Sequence, residues 1–148
     1  MNKSIDNPLV TDNASGNMTG TITFLHNGTV DNFQSFRVIR NLLSEMTYLI
    51  GVVAQPGKAY EIILVVPGDE PLTGTYTIGS NKVTAYLNVG ESPQLIAVSG
   101  QIEIQNQTPI GKITGSAKFV TQVYNEMHYA VDANFDISRT AAGAERTS

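Results

Sequence analysis

Hydrophobic and polar residues alternate almost strictly along residues 127–137, near the C-terminal end of the chain. The apolar positions of this run are Met127, Tyr129, Val131, Ala133, Phe135 and Ile137. Side chains at every second position lie on the same face of a β-strand, so this period predicts a strand with one buried face. Other segments repeat the period, and no long segment shows a clear helical one. We therefore expect an all-β protein, a single antiparallel β-sandwich or barrel of about 8 to 10 meandering strands.

Two neighbouring segments, residues 47–55 and 59–66, are apolar at both odd and even positions. Between them lie Pro56, Gly57 and Lys58, a combination that favours a tight turn and predicts a hairpin. Strands that are apolar on both faces are usually covered on both sides. We therefore expect this hairpin to lie centrally in the fold.

Further strands are predicted where apolar runs are separated by glycine-containing turns. Residues 74–78 and 83–89 are expected to pair with each other as a hairpin. Residues 94–105 predict a long strand that Gly100 interrupts with a bulge or bend. Four apolar side chains of this long strand are expected to point inward: Ile96, Val98, Ile102 and Ile104.

Residues 33–43 fit two descriptions. Phe36, Ile39 and Leu43 have the spacing of one helix face, whereas residues 36–38 also fit an edge strand. The segment is therefore expected to form either a short helix or a bent strand.

The length of 148 residues fits one domain. We expect a flexible N-terminal arm over residues 1–15, a β-domain over residues 16–138 and a polar C-terminal tail over residues 139–148. No apolar core of signal-peptide length is visible near the N-terminus, and no apolar run approaches the roughly 18 residues of a membrane helix. The sequence therefore predicts no transmembrane helix.

The composition excludes several kinds of chemistry. The chain has no cysteine, so disulfides, thiolate metal sites and cysteine nucleophiles are absent. Its formal net charge is −4, and its basic residues are scattered, so nucleic acid is not an expected partner. Only 15% of the residues are charged, and the polar positions are rich in Thr, Ser, Asn and Gln. Such a surface is typical of extracellular β-proteins.

Four short motifs occur in a characteristic order: LTGTY at residues 72–76, SGQIEI at 99–104, ITGSAKF at 113–119 and ANFDI at 133–137. This order resembles a group of small all-β bacterial domains of unknown function, many of them anchored in the cell envelope. The chain departs from that group in lacking a lipobox cysteine. The resemblance implies an extracellular or envelope location and implies no catalytic residues.

The candidate catalytic and metal-binding residues do not form a convincing set. Asp132, Asn134 and Asp136 have the spacing that opens a calcium loop, but Ile137 and Gly143 stand where the loop needs Gly and Glu. The only histidines, His26 and His128, have no predicted nucleophile to serve and would supply half a zinc site. We therefore expect no enzyme activity, no metal and no cofactor.

Four residues are the candidate ligand-binding positions. Tyr86 and Tyr124 fall on polar faces or loops, where an exposed tyrosine can stack on a sugar or anchor a protein partner. Asp132 and Asp136 lie on the polar face of the last predicted strand. The question for the structure is whether these four side chains border one surface.

These observations predict a non-enzymatic binding or interaction module that recognises a protein or carbohydrate surface. One alternative is a membrane-acting, oligomerising β-toxin of the insecticidal type, because residues 112–123 and 127–137 alternate as barrel-forming hairpins do. Another alternative is a small-ligand carrier. Long Thr-rich strands with few lysines leave sheet edges unprotected, so we also expect a homo-oligomer formed through an edge strand.

Overall fold

The computed structural model describes residues 14–35, 37–107 and 111–139, which form ten β-strands and, within these ranges, no helix. In chain order the strands are β1 (Ala14–Phe24), β2 (Thr29–Gln34), β3 (Arg37–Leu43), β4 (Met46–Gln55), β5 (Lys58–Pro67), β6 (Gly74–Thr77), β7 (Thr84–Val89), β8 (Leu95–Gln107), β9 (Lys112–Thr121) and β10 (Tyr129–Arg139). The described part of the chain thus has no helix that could span a membrane. The predicted all-β class is confirmed.

All ten strands belong to one antiparallel sheet with the order β2-β1-β10-β9-β8-β7-β5-β4-β3, and β6 pairs with β8 beside this path. The sheet is not closed, because β2 and β3 stand at its two ends. Most neighbouring strands are consecutive in the chain, as the predicted meander requires. One exception joins the first and last strands of the chain: β1 pairs along its whole length with β10.

The two ends of the sheet fold over and pack against each other. At the end formed by β1 and β2, two hydrogen bonds fix the residue that follows β2. Ser35 donates its backbone N–H to the carbonyl oxygen of Met18 at 2.9 Å, and the Met18 N–H donates to the Ser35 hydroxyl at 2.9 Å. The Met18 side chain on β1 lies over Gly51 on β4. One inner face is therefore enclosed between the folded halves, as in a sandwich.

The core is built from the alternate positions that point between these halves. On β10 every apolar odd position is buried, whereas Asp132 and Asn134 between them are exposed. The buried side chains of this strand are Tyr129, Val131, Ala133, Phe135 and Ile137. The period that predicted the strand therefore also predicted its buried face.

The prediction of the inward face of β8 was half wrong. Ile102 and Ile104 are buried as expected, but Ile96 and Val98 are 40% and 61% exposed. The pairing with β9 shifts register between Ala97 and Ser99, which is a β-bulge. One extra residue at the bulge moves every preceding side chain to the opposite face, because side chains alternate with a period of two.

The predicted hairpin between residues 74–78 and 83–89 was also wrong. β6 pairs with the second half of β8, and β7 pairs with β5 and with the first two residues of β8. Gly100, at φ +135°, lies between the two parts of β8 that take these different partners. Because β6 pairs with one part and β7 with the other, β6 and β7 are not neighbours.

Within residues 33–35 and 37–43 the chain has no helix and fits the strand alternative. β2 ends at Gln34 and β3 begins at Arg37, and Phe33 and Val38 are buried. The proposed arm and tail lie largely outside the described residues. Of the predicted arm, Ala14 and Ser15 already belong to β1, and Arg139 of the predicted tail is the last residue of β10.

Candidate functional site

The two outer faces of the folded sheet have opposite chemical character. On the half formed by β2, β1, β10, β9 and the second part of β8, one row of residues crosses the sheet in register and is polar throughout. Its members are Asn32, Thr21, Asp132, Lys118 and Gln101. We call this surface the polar outer face. A solvated antiparallel sheet face has this composition.

The other half of the sheet, formed by β3, β4, β5, β7 and the start of β8, has an apolar row in the equivalent position. The strand registers place five residues side by side across it: Ile39, Ile50, Ile63, Tyr86 and Ile96. All five are partly exposed or exposed. Cross-strand neighbours on one face lie about 5 Å apart, so these side chains contact one another as a continuous stripe.

Apolar side chains continue from this stripe along the strands. Tyr48 and Val65 are cross-strand partners on one side of it, and Val52 lies on the other side. Together with the stripe, these three residues define the apolar outer face. Seven of its eight members are partly exposed or exposed, and Val65 is buried at 3% exposure. None of the eight belongs to the buried core cluster or to the residues packed against it. The apolar outer face is thus a second apolar layer, separate from the core.

Polar residues border the apolar outer face. The row that contains Val52 also contains Arg37, Glu61 and Asn88, and Asn88 donates a hydrogen bond to the Glu61 carboxylate at 2.6 Å. Arg37 and Glu61 are of opposite sign, so this border has no net charge. An apolar centre with a polar rim is the usual anatomy of a protein interface.

The structure separates the four sequence-predicted ligand residues. Tyr86 lies in the apolar outer face, and Tyr124 is 42% exposed in the connection between β9 and β10. Tyr124 is held there by two backbone hydrogen bonds to Met127, of 2.9 and 2.7 Å. Asp132 and Asp136 lie on the outer side of β10, at the polar outer face. These four residues therefore do not form one site around Tyr86.

Both candidate aspartates form cross-strand ion pairs with lysines of β9. The Asp136 carboxylate is 3.3 Å from Lys112, and the Asp132 carboxylate is 4.0 Å from Lys118. Asp132 and Lys118 also line a depression of about 370 Å³ with Thr21 and Thr23. No group of three or more potential metal-binding acidic or histidine residues occurs in the described ranges.

The two histidines are brought together, which their separation in sequence did not predict. The His26 Nδ1 atom lies 3.2 Å from both the backbone nitrogen and the carbonyl oxygen of His128. The His26 ring also contacts the rings of Phe24 and Tyr129, with centroids 5.8 and 5.4 Å apart. Through these contacts, His26 connects the β1–β2 turn to the start of β10.

A polar cluster links β2 to β5 at the same end of the molecule. Tyr60 donates its hydroxyl hydrogen to Asp31 at 2.6 Å, and Lys58 lies 3.0 Å from the other Asp31 oxygen. The Tyr60 hydrogen bond is the main cause that lowers the pKa of Asp31. Burial and the Asp31 carboxylate raise the pKa of Tyr60. The cluster therefore joins β2 to β5.

At the opposite end, Arg40 has the most buried charged side chain among the ion pairs within the described residues, at 4% exposure. It donates to the carbonyl oxygens of Asp69 at 2.9 Å and Gly111 at 3.3 Å, and it lies 3.4 Å from the Glu70 carboxylate. These contacts tie β3 to the loops that follow β5 and precede β9. Arg40 is therefore a structural residue.

No family model matches the chain, and neither a curated protein nor a solved structure matches it.

Sequence reasoning did not identify the apolar outer face as a site. The signal was present, since residues 47–55 and 59–66 were recognised as apolar on both faces. It predicts a central hairpin covered on both sides. In the structure β4 and β5 are instead the second and third strands from the β3 end of the sheet, and only their inner faces contact the core cluster.

Proposed function

We propose that this protein is a non-enzymatic binding module and that the apolar outer face is its binding surface. The single observation that carries the proposal is the register of Ile39, Ile50, Ile63, Tyr86 and Ile96 across five strands, outside the core. Contiguous exposed apolar patches of several hundred Å² mark interaction sites in soluble proteins.

The polar groups described above support a binding role over a catalytic one. Asp132 and Asp136 are paired with lysines, and Asp31 with Tyr60 and Lys58. A carboxylate that acts as a general base has to be free to accept a proton from a substrate or a nucleophile. These pairings instead hold neighbouring strands together.

Binding of the dye bis-ANS tests the proposal, because the dye fluoresces on apolar protein surface. The full chain is titrated at submicromolar concentration, together with the variants Ile63→Lys and Thr21→Lys. Thr21 lies on the polar outer face and is the matched control. We expect Ile63→Lys to remove more than half of the fluorescence gain and Thr21→Lys to leave it unchanged. Equal fluorescence of all three proteins would overturn the proposal.

A membrane-acting role is the second candidate, favoured by leucines at one end of the molecule. Leu42 and Leu43 at the end of β3 and Leu72 after β5 are all exposed. The same end carries the acidic residues Glu45 and Asp69, which disfavour an anionic bilayer. Release of dye from zwitterionic vesicles by the full chain would support this role. Intact vesicles at micromolar protein would exclude it.

A further inference from the structure

We propose that the apolar outer face binds a second copy of this chain, giving a two-fold symmetric dimer in which the two faces stack. This inference rests on the proposed function, because it names the partner of the same surface. The dimer proposed here uses the face of the sheet and leaves the edge strands β2 and β3 outside the interface.

The dimensions of the face suit a dimer of modest affinity. Five strands and three rows of residues, with a margin of half a spacing on each side, cover about 24 Å by about 20 Å. Stacking two such faces buries roughly 500 Å² on each copy, or about 1,000 Å² in total, which is the lower limit for a specific interface. We therefore expect dissociation in the micromolar range.

The residues of the apolar outer face can pack against the same residues of a second copy. In a symmetric interface every residue on the two-fold axis meets the same residue of the other copy. If the axis runs along the stripe, Ile50 and Ile63 meet their own copies, and the only aromatic residue on the axis is Tyr86. No charged residue lies on this line, so self-contact brings no like charges together.

The two charged residues of the border also meet no charge of the same sign in this arrangement. Arg37 and Glu61 lie on the same side of the stripe, in the row that includes Val52. Rotation about the stripe carries this row over the row of Tyr48 and Val65 in the second copy. The two Arg37 residues are then on opposite sides of the interface, as are the two Glu61 residues. A strongly charged partner such as nucleic acid would find no complementary charge here.

Sedimentation of the full chain from submicromolar concentration to about 100 μM tests the inference. We expect the wild type to dimerise and Ile63→Lys to dissociate at least 100-fold more readily, because two lysines then meet on the axis. Thr21→Lys on the polar outer face is expected to dimerise as the wild type does. Circular dichroism and urea unfolding check that each variant folds, and Ile63→Thr replaces Ile63→Lys if the lysine variant does not.

Cross-linking locates the interface independently of these substitutions. Because the chain has no cysteine, Ile63→Cys introduces a single thiol. A short bismaleimide is expected to link two Ile63→Cys chains and to leave Thr21→Cys chains unlinked. A dimer that persists in Ile63→Lys, without cross-linking at position 63, would show an edge-strand interface and overturn the inference.

A monomeric wild type at 100 μM also overturns the inference, and the dye titration then decides the proposed function separately. A monomer that binds bis-ANS at the apolar outer face retains a binding surface for a different partner. A monomer that does not bind the dye removes both proposals. Dye binding that appears only after deletion of residues 1–13 would show that the chain's own N-terminal segment covers the face.

Discussion

The side chain of Met18 on β1 occupies the space that a side chain at Gly51 on β4 would fill. A methyl group on Gly51 would lie 2.8 Å from the Met18 sulfur and 3.0 Å from the Met18 Cβ. The two residues come from strands near opposite ends of the sheet order, so this contact joins the two ends of the folded sheet. The large Met18 side chain and the absence of a side chain at Gly51 are therefore complementary in shape.

We expect a double-mutant cycle to detect this complementarity. Gly51→Leu overfills the contact and is expected to cost about 1–3 kcal/mol, whereas Met18→Ala leaves a cavity and is expected to cost about 2–5 kcal/mol. In the double variant the added side chain enters the vacated space, so the loss should fall short of the sum by at least about 0.5 kcal/mol. Urea unfolding measures all three, and strict additivity would contradict the contact.

Gly100 is expected to tolerate no side chain. Its φ of +135° is a conformation that favours glycine, and an added methyl group would overlap the Lys118 carbonyl oxygen. We expect Gly100→Ala to destabilise the fold by about 2–4 kcal/mol, since backbone strain and a steric clash combine. Gly57→Ala is the control, because Gly57 also has positive φ but nothing within 4 Å of the added methyl group. Its cost should be only about 1–2 kcal/mol.

Two basic side chains differ in their expected effect on stability because they differ in burial. Arg40→Met removes a buried side chain and its hydrogen bond to the carbonyl oxygen of Asp69, and is expected to cost about 2–3 kcal/mol. Lys118→Met removes an exposed ion pair of 4.0 Å and is expected to cost less than about 0.5 kcal/mol. Chemical denaturation at neutral pH compares them, and equal losses would refute a structural role for Arg40.

The contact between Tyr60 and Asp31 predicts a specific acid dependence of stability. Because the pKa of Asp31 is lowered by folding, its contribution is present above the unfolded-state pKa of about 3.9 and is lost as the pH falls through the folded-state value. Tyr60→Phe removes the main cause of this shift. We therefore expect the loss of stability between pH 6 and pH 3 to be smaller in Tyr60→Phe than in the wild type.

Tyr76→Phe is the matched control for this acid dependence. The Tyr76 hydroxyl donates to the carbonyl oxygen of Leu72, which does not titrate. Its removal should lower stability equally at both ends of the acid range, so that the slope with pH is unchanged. If Tyr60→Phe and Tyr76→Phe have the same slope, the coupling of Tyr60 to Asp31 is too weak to measure.

Local chemistry in the sequence determined most of the strands and turns. The alternation of residues 127–137 predicted the buried face of β10, because a strand places alternate side chains on opposite faces whatever its partners are. Pro56 and Gly57 predicted the turn between β4 and β5, since a turn depends on the backbone preferences of a few adjacent residues. Both features are properties of short segments, so they could be recognised without knowing the fold.

Only the tertiary structure decided which strands pair and which apolar surfaces are covered. The bulge between Ala97 and Ser99 reverses the face of Ile96, because one added residue changes every side-chain direction on one side of it. The two parts of β8 also take different partners, so β6 and β7 do not form a hairpin. Likewise, Ile50 and Leu49 are both apolar, but only Leu49 faces the core. Whether the second face of a strand is covered depends on how the whole chain folds. The hydrophobicity of the strand's own residues does not show which other element, if any, packs on that face.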